Sequence, residues 1–342
     1  MYDILIVTHL PAFYKVNLYK EISKNSKIMV VFVGHQSSCR TSDFVSNDFN
    51  FDHVFLFDGE FERRPKIKSL INLYSLVKTL SFNQLLVSGW DLPEFWFLVF
   101  INKKNKNNLA LESTVYESAS SGFKGIIKRV FLSRVARVLA SGNLHKELLF
   151  HLGYKGDVRI TKGVGIINKP DVGNNRKHRD RYQGRFLFLG RLSPEKNLFE
   201  LLKVFKDLPC SSLTLIGNGP LSSYLSKIKT NNVEIREHID NKDLSFLFCE
   251  YDFLILPSLR EPWGLVIEES LYFNVPVIVS SHCGGAELIN HGINGYVVEP
   301  DYKSIHGLLS SISEKGYELL SKDIYSHLAE KDSFQISSYK DL

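Results

Sequence analysis

The chain has 342 residues, 44% hydrophobic and 23% charged, with 22 glycines and 11 prolines; at roughly 100 to 200 residues per domain this predicts two domains and excludes collagen-like, low-complexity and disordered classes. The formal net charge of +5 hides an asymmetry: residues 1–165 carry 22 lysines and arginines against 14 aspartates and glutamates, whereas residues 166–342 carry 20 against 23. A basic first half points to a polyanion or an anionic membrane surface as partner.

Met1-Tyr2-Asp3 runs straight into an apolar strand, with no basic stretch or small-residue cleavage site before it, so no signal peptide is expected and the expected location is the cytoplasm. Apolar runs rich in Val, Ile, Leu and Phe follow at Ile4–Thr8, Ile28–Gly34, His53–Asp58, Leu85–Gly89, Leu109–Glu112 and Val135–Ser141. A second series comprises Arg185–Gly190, Ser212–Gly217, Val233–Ile235, Asp252–Pro257, Val277–Ser280 and Gly295–Val298. Helix-like stretches separate these runs, which is the α/β alternation of parallel sheets covered by helices, one sheet in each half.

The expected domains are a Rossmann-like, doubly wound unit over 1–165, a linker over 166–183, and a second such unit over 184–325. The linker holds Pro, Gly, Asn and a dense set of charges. Residues 326–342 read as a tail or helix that finishes the second domain, with a return to the first as a further course. The apolar run Leu92–Ile101 contains Pro93 and Glu94 and is about half the roughly 20 residues needed to span a bilayer, so a buried helix is expected there. Cys39, Cys210, Cys249 and Cys283 show no zinc-like spacing and read as reduced thiols. Two doubly wound domains in tandem face a cleft at the carboxyl ends of their strands, which places the chemistry on loops that follow strands.

The most informative stretch is Phe186-Leu187-Phe188-Leu189-Gly190-Arg191-Leu192-Ser193-Pro194-Glu195-Lys196-Asn197. A strand ends at Gly190, a Ser-Pro-Glu helix start follows, and Arg191 and Lys196 flank the turn. Glycine permits close approach to the backbone, a helix start offers free N–H groups, and two fixed cations neutralise phosphate, a combination suited to a diphosphate. Read alone, the same stretch is also a plain strand-to-helix turn with two surface cations.

The second stretch runs Pro257-Ser258-Leu259-Arg260-Glu261-Pro262-Trp263-Gly264-Leu265-Val266-Ile267-Glu268-Glu269-Ser270. Glu261 lies on a loop after a strand and Glu269 inside the helix that begins near Gly264, so the two carboxylates are placed to accept hydrogen bonds from sugar and ribose hydroxyls. Glu268, one residue and about 100° around the helix from Glu269, is expected to point elsewhere. Glycine turns at Gly217-Asn218-Gly219-Pro220 and Cys283-Gly284-Gly285 complete the set.

In this order, with Val275-Pro276-Val277-Ile278-Val279-Ser280 and Asn294-Gly295, the motifs resemble the retaining GT-B glycosyltransferases of glycosyltransferase family 4, across nearly the whole second half. The resemblance implies a nucleotide-sugar donor in the C-terminal domain, with Arg191 and Lys196 on the diphosphate, Glu261 near the donor sugar and Glu269 on the ribose. Gly190, Gly217, Asn218, Gly219, Trp263, Gly264 and Leu265 complete the donor set, with His238 and Ile239 in the base-binding region.

The first half matches less sharply. In place of a Gly-Gly pair after the first strand it has His9-Leu10-Pro11-Ala12-Phe13-Tyr14-Lys15-Val16-Asn17, as in relatives that modify bacterial surface polysaccharides. This implies acceptor contacts from His9, Pro11, Phe13 and Tyr14, with Glu112 as the polar catalytic-site residue at a later strand end. A lone acid there is as often a helix cap.

The implied reaction is retaining transfer of a hexose or N-acetylhexosamine from a nucleotide sugar, UDP-sugar favoured, to a glycan hydroxyl, lipid-linked, in polysaccharide, O-antigen or capsule assembly. Preplaced cations and helix N–H groups would stabilise the leaving diphosphate. No Asp-x-Asp triplet is present to hold a divalent ion, so neither a metal nor another cofactor is expected. A GDP-sugar transferase, another GT-B sugar-nucleotide enzyme and a sugar-nucleotide sensor remain open alternatives. The segment from Phe123 to Arg137, with five cations among apolar residues, has the composition of a helix lying on an anionic inner-membrane surface, and Arg63-Arg64-Pro65-Lys66-Ile67-Lys68 and Asn102-Lys103-Lys104-Asn105-Lys106 add to it. A solvated domain face has the same pattern. No nucleic-acid-binding signature accompanies the charge, so no nucleic-acid partner is expected.

Overall fold

Consecutive buried residues such as Ile4-Leu5-Ile6-Val7 leave no polar face, so their strands must be covered on both sides, the condition of a parallel sheet packed between helices. The computed structural model, which describes residues 1–170, 181–240, 244–320, 324, 326–340 and 342, contains two such sheets. One unit comprises Met1–Asn168 with Lys331–Leu342, and the other Lys169–Glu330.

The first unit has strands β1 (Tyr2–Thr8), β2 (Ile28–Phe32), β3 (Asp52–Phe55), β4 (Phe82–Val87), β5 (Asn107–Leu111), β6 (Arg137–Ala140) and β7 (Asp157–Ile160), all parallel in the order β3-β2-β1-β4-β5-β6-β7. Its helices are α1 (Phe13–Ser23), α2 (Lys66–Thr79), α3 (Pro93–Ile101), α4 (Gly122–Leu132) and α5 (Asn143–His151). Alternate strand residues feed opposite cores. Leu5, Val7, Leu85 and Val87 pack with Leu73, Phe95, Phe131 and Leu148 from α2 to α5. Ile4, Ile6 and Leu86 pack with Val16 and Tyr19 of α1 and with Tyr339 from the far end of the chain.

The second unit has β8 (Arg185–Leu189), β9 (Ser212–Ile216), β10 (Val233–Arg236), β11 (Phe253–Leu256), β12 (Val277–Ser280) and β13 (Gly295–Val298), in the order β10-β9-β8-β11-β12-β13. Its helices are α6 (Leu198–Lys206), α7 (Ser222–Ile228), α8 (Leu244–Phe248), α9 (Leu265–Tyr272), α10 (Tyr302–Ser311) and α11 (Glu314–Glu318), and α12 (Ser326–Tyr339) runs back into the first unit. In each sheet the strand order reverses once, between β1 and β4 and between β8 and β11. These are the switch points at which doubly wound sheets open a crevice.

Several expectations need correction. The first sheet has a seventh strand, β7, whose half-exposed Asp-Val-Arg-Ile gives little apolar signal at the sheet edge. The Leu92–Ile101 run forms a helix buried on one face only, since Phe100 and Ile101 are exposed. The basic segment is not one helix: α4 stops at Leu132, and Arg137 lies on β6, paired with Asp157. Arg64 is no surface cation, being buried against Glu94. The Ser-Pro-Glu start is a 3₁₀ turn, Pro194–Lys196, separated from α6 by Asn197 at φ 60°. Most of the linker, residues 171–180, lies outside the described residues. Among the described residues no helix is long and apolar enough to cross a membrane.

Candidate functional site

At the switch point of the second unit, the loops after β8 and β11 carry the motifs read from sequence. The chain leaves β8 through Gly190, makes the 3₁₀ turn, and enters α6 at Asn197, whose side chain donates to the Pro300 carbonyl at 2.8 Å. Leu259 N–H donates to the Glu195 carbonyl at 2.8 Å, tying this turn to the loop after β11. Lys196 Nζ makes an ion pair with Glu261 Oε2, the side chains being 15% and 12% exposed. The loop is fastened again behind Glu261, where Gly284 N–H donates to the Glu261 carbonyl and Gly285 N–H to the Trp263 carbonyl.

The β9 loop lies directly against the β8 loop. Gly190 N–H donates to the Ile216 carbonyl, and Leu192 N–H to the Asn218 carbonyl. Gly217 has φ 141°, and a Cβ on it would lie 2.0 Å from the Gly190 carbonyl oxygen, so only glycine fits. A Cβ on Gly219 would meet the Leu192 carbonyl at 2.3 Å.

The adjacent carboxylates on α9 diverge as the helical period requires. Glu268 is fully buried and accepts the Trp263 indole N–H at 2.6 Å, while Glu269 is half-buried. Trp263 is thereby a buried wedge under the loop, Gly264 turns the chain at φ 87°, and Leu265 starts the helix half-buried. Arg191 is exposed. His238 and Ile239 follow β10, two strands away from β8, with His238 exposed and Ile239 half-buried.

The first unit uses its own switch point in the same way. His9, after β1, places Nε2 2.8 Å from Asp91 Oδ2 in the loop after β4. Beyond β5, Glu112 pairs at 2.7 Å with Lys15, a buried residue in the first turn of α1. A cavity of about 290 Å³ opens here, lined by His9, Tyr14, Lys15, Arg40, Glu62 and Glu112 among others. Pro11 and Phe13 are not among its lining residues; both are buried, and Phe13 packs edge-on against Tyr14 and Phe44.

Residues 174–326 match the family described as glycosyl transferases group 1. The match lies within the second unit and covers less than half of the chain. The chain is 37% identical over 114 residues to an uncharacterized 41.2 kDa protein of the cps region of Klebsiella pneumoniae, covering 33% of this chain and 32% of that one. It is 25% identical over 239 residues to the UDP-Gal:alpha-D-GlcNAc-diphosphoundecaprenol alpha-1,3-galactosyltransferase of Escherichia coli, covering 64% and 61%. Each match thus spans less than two thirds of the relative's own length. In fold, the chain matches the structure of Anabaena Alr3699/HepE in complex with UDP-glucose with a TM-score of 0.69 at 15% identity, over all of this chain and 98% of that one. The two parallel α/β domains therefore have the GT-B fold.

Within the second unit, partial burial pushes the Glu195 carboxyl upward, but the Ser193 hydrogen bond, with Lys196 and Arg191 nearby, holds it below the usual carboxylate range. Burial pushes the Cys283 thiol up, which keeps it protonated beside Glu261. In the first unit, burial raises Asp91, yet the bond from His9 keeps it low. Burial likewise lowers Lys15, and Glu112 more than restores it. Lys15 and Asp91 carried no motif signal. Nothing local to Lys15, in the first turn of α1, marks it as buried, because its acid lies 97 residues away in sequence. The helix-cap alternative for Glu112 is replaced by this ion pair.

Proposed function

We propose that the chain is a retaining, metal-independent glycosyltransferase that moves a hexose or N-acetylhexosamine from a nucleotide sugar, UDP-sugar favoured, to a hydroxyl of a lipid-linked glycan in bacterial surface-polysaccharide assembly. The observation that carries this reading is the second unit's switch point, where the glycine loops of β8 and β9 and the Lys196–Glu261 pair lie together within the group 1 match. The E. coli relative, named for UDP-galactose and a diphosphoundecaprenol-linked acceptor, supports the choice of base and of lipid-linked acceptor.

In this reading the donor C1–O bond to the diphosphate breaks while the acceptor oxygen bonds C1 from the same face, and the acceptor proton passes to a phosphate oxygen of the leaving group. Charge grows on that diphosphate, so Arg191 and Lys196 stabilise the transition state more than the ground state. Glu261 orients the donor sugar and holds Lys196, Glu269 takes the ribose hydroxyls, and His238 with Ile239 flank the base. The acceptor binds in the first unit's cavity, where His9, Tyr14 and Glu112 offer it polar groups. The enzyme works in the cytoplasm, at the inner face of the membrane.

A thermal-shift series with UDP- and GDP-sugars, followed by mass analysis of products on an acceptor panel, tests the reading. Stabilisation by a UDP-sugar and transfer with retained anomeric configuration are expected; preference for GDP-sugars would reassign the base, and an inverted product would overturn the retaining mechanism. An Arg191→Ala, Lys196→Ala double variant should keep its fold and lose transfer by about three orders of magnitude. Unchanged transfer would remove both residues from the site.

A further inference from the structure

Nineteen large hydrophobic side chains are exposed among the described residues, and ten of them lie on α2, α3, α4 and α5. These four helices form the layer over one face of the first sheet, so the exposed side chains belong to its outer surface. On α4 the exposed residues are Phe123, Ile126, Ile127 and Val130, at 77%, 53%, 38% and 46%. Their i, i+3, i+4, i+7 spacing makes one continuous stripe, opposite the buried Gly125 and Leu132. On α2, Ile67 and Ile71 repeat the pattern at i, i+4. A helix buried on one side and apolar on the other has no reason to remain so in water alone.

The charge asymmetry of the sequence resides in the stretch of chain that holds these helices, with their strands and loops. Residues 61–156 carry 15 lysines and arginines against six acids, while the rest of the first 165 residues carries seven against eight. Arg64 and Glu94 neutralise each other in the interior, which leaves the excess on the surface. At the C-terminal end of α4, a cleft of about 370 Å³ is lined by Lys104, Arg129, Tyr154 and Lys155, with no acidic side chain. Lys124 lies exposed beside the stripe, and Lys128, one turn on, is half-buried and donates to the Ala119 carbonyl at 2.6 Å; desolvation and then the charge of Lys124 lower Lys128 from its ordinary value.

We propose that the outer face of the α2–α5 layer docks on an anionic bilayer, with α4 lying in the interface, its stripe at the acyl boundary and a lipid phosphate in the cleft of Lys104, Arg129 and Lys155. Apolar side chains in the boundary and cations at the headgroup level are the two signals that together hold a protein on a membrane surface. The charge excess selects an anionic bilayer over a second copy of this chain, since two such faces would repel. The inference deepens the reading of a lipid-linked acceptor and takes its purpose from it.

Flotation of the full chain with vesicles of phosphatidylethanolamine and phosphatidylglycerol, against phosphatidylcholine alone, tests it. Binding to the anionic vesicles, weakened by salt, is expected. A Phe123→Ser, Ile126→Ser, Val130→Ser variant should melt as the parent does and bind about tenfold or more weakly. Lys104→Glu with Lys155→Glu should weaken binding to anionic vesicles only. Absence of binding at low salt, parental binding by the triple variant, or a dimer that the triple substitution dissociates would overturn the proposal. Transfer to a water-soluble acceptor should be unaffected by these substitutions. If vesicles bind and no sugar transfer occurs, the functional reading fails while the docking face stands.

Discussion

Glu94 has no exposed surface, and its carboxylate accepts hydrogen bonds from Arg64 Nε at 3.1 Å and Ser69 Oγ at 2.7 Å. Burial alone would raise its pKa, but the bonds from Arg64 and Ser69 hold it below the usual 4.5. A carboxylate that titrates lower in the folded than in the unfolded state stabilises the fold fully above its unfolded value and loses that contribution as pH falls through the folded one. Glu94→Gln should therefore cost about 3 kcal/mol at neutral pH, because a buried guanidinium loses its countercharge. It should also flatten the loss of stability below pH 4.5; urea unfolding over a pH series measures both, and an unchanged acid limb would show that Glu94 does not set it. In the sequence Glu94 was legible as a polar interruption of an apolar run. Its partner, 30 residues earlier, read as part of a basic patch. Side-chain orientation was legible where it follows from local period, as with Glu268 turned inward and Glu269 not, and illegible where it depends on a distant countercharge, as with Arg64.

Among the elements, the paired loops after β8 and β9 are held to one geometry by their glycines. At Gly217 a side chain would meet both an unfavourable φ of 141° and the Gly190 carbonyl. Gly217→Ala should cost about 2 kcal/mol in denaturant unfolding and reduce the thermal shift produced by a nucleotide sugar; an alanine variant with parental values of both would show that the loops have room to move apart. Twelve of the thirteen strands were legible, most because a parallel strand buried on both faces is a short unbroken apolar run, and the half-exposed edge strands β3 and β10 because their few apolar residues still stand out. The exception, β7, is a half-exposed edge strand. Helix limits were less legible: Asn197 takes a left-handed conformation that separates the 3₁₀ turn from α6, and its side chain is held by the Pro300 carbonyl, 103 residues away.

At the scale of the whole molecule, the last segment of the chain belongs to the first unit. Lys331 is buried and donates to the Gly165 carbonyl at 2.9 Å, and Tyr339 completes the core around Ile4, Ile6 and Tyr19. Removing residues 331–342 should uncover that core and cost the first unit about 3 kcal/mol or more, seen by calorimetry as a lowered transition for the first unit with the second unchanged. Equal shifts in both would show that the segment stabilises them jointly. The amino-acid sequence by itself determined the two sheets, the glycine turns at strand ends and the order of the strand-end motifs, because each is written in a window of about ten residues. The tertiary structure alone decided which charges are paired. His9 meets Asp91, Lys15 meets Glu112 and Lys196 meets Glu261 across separations of 65 residues or more, since a parallel sheet brings successive strand ends to one edge and no local pattern records which will be neighbours.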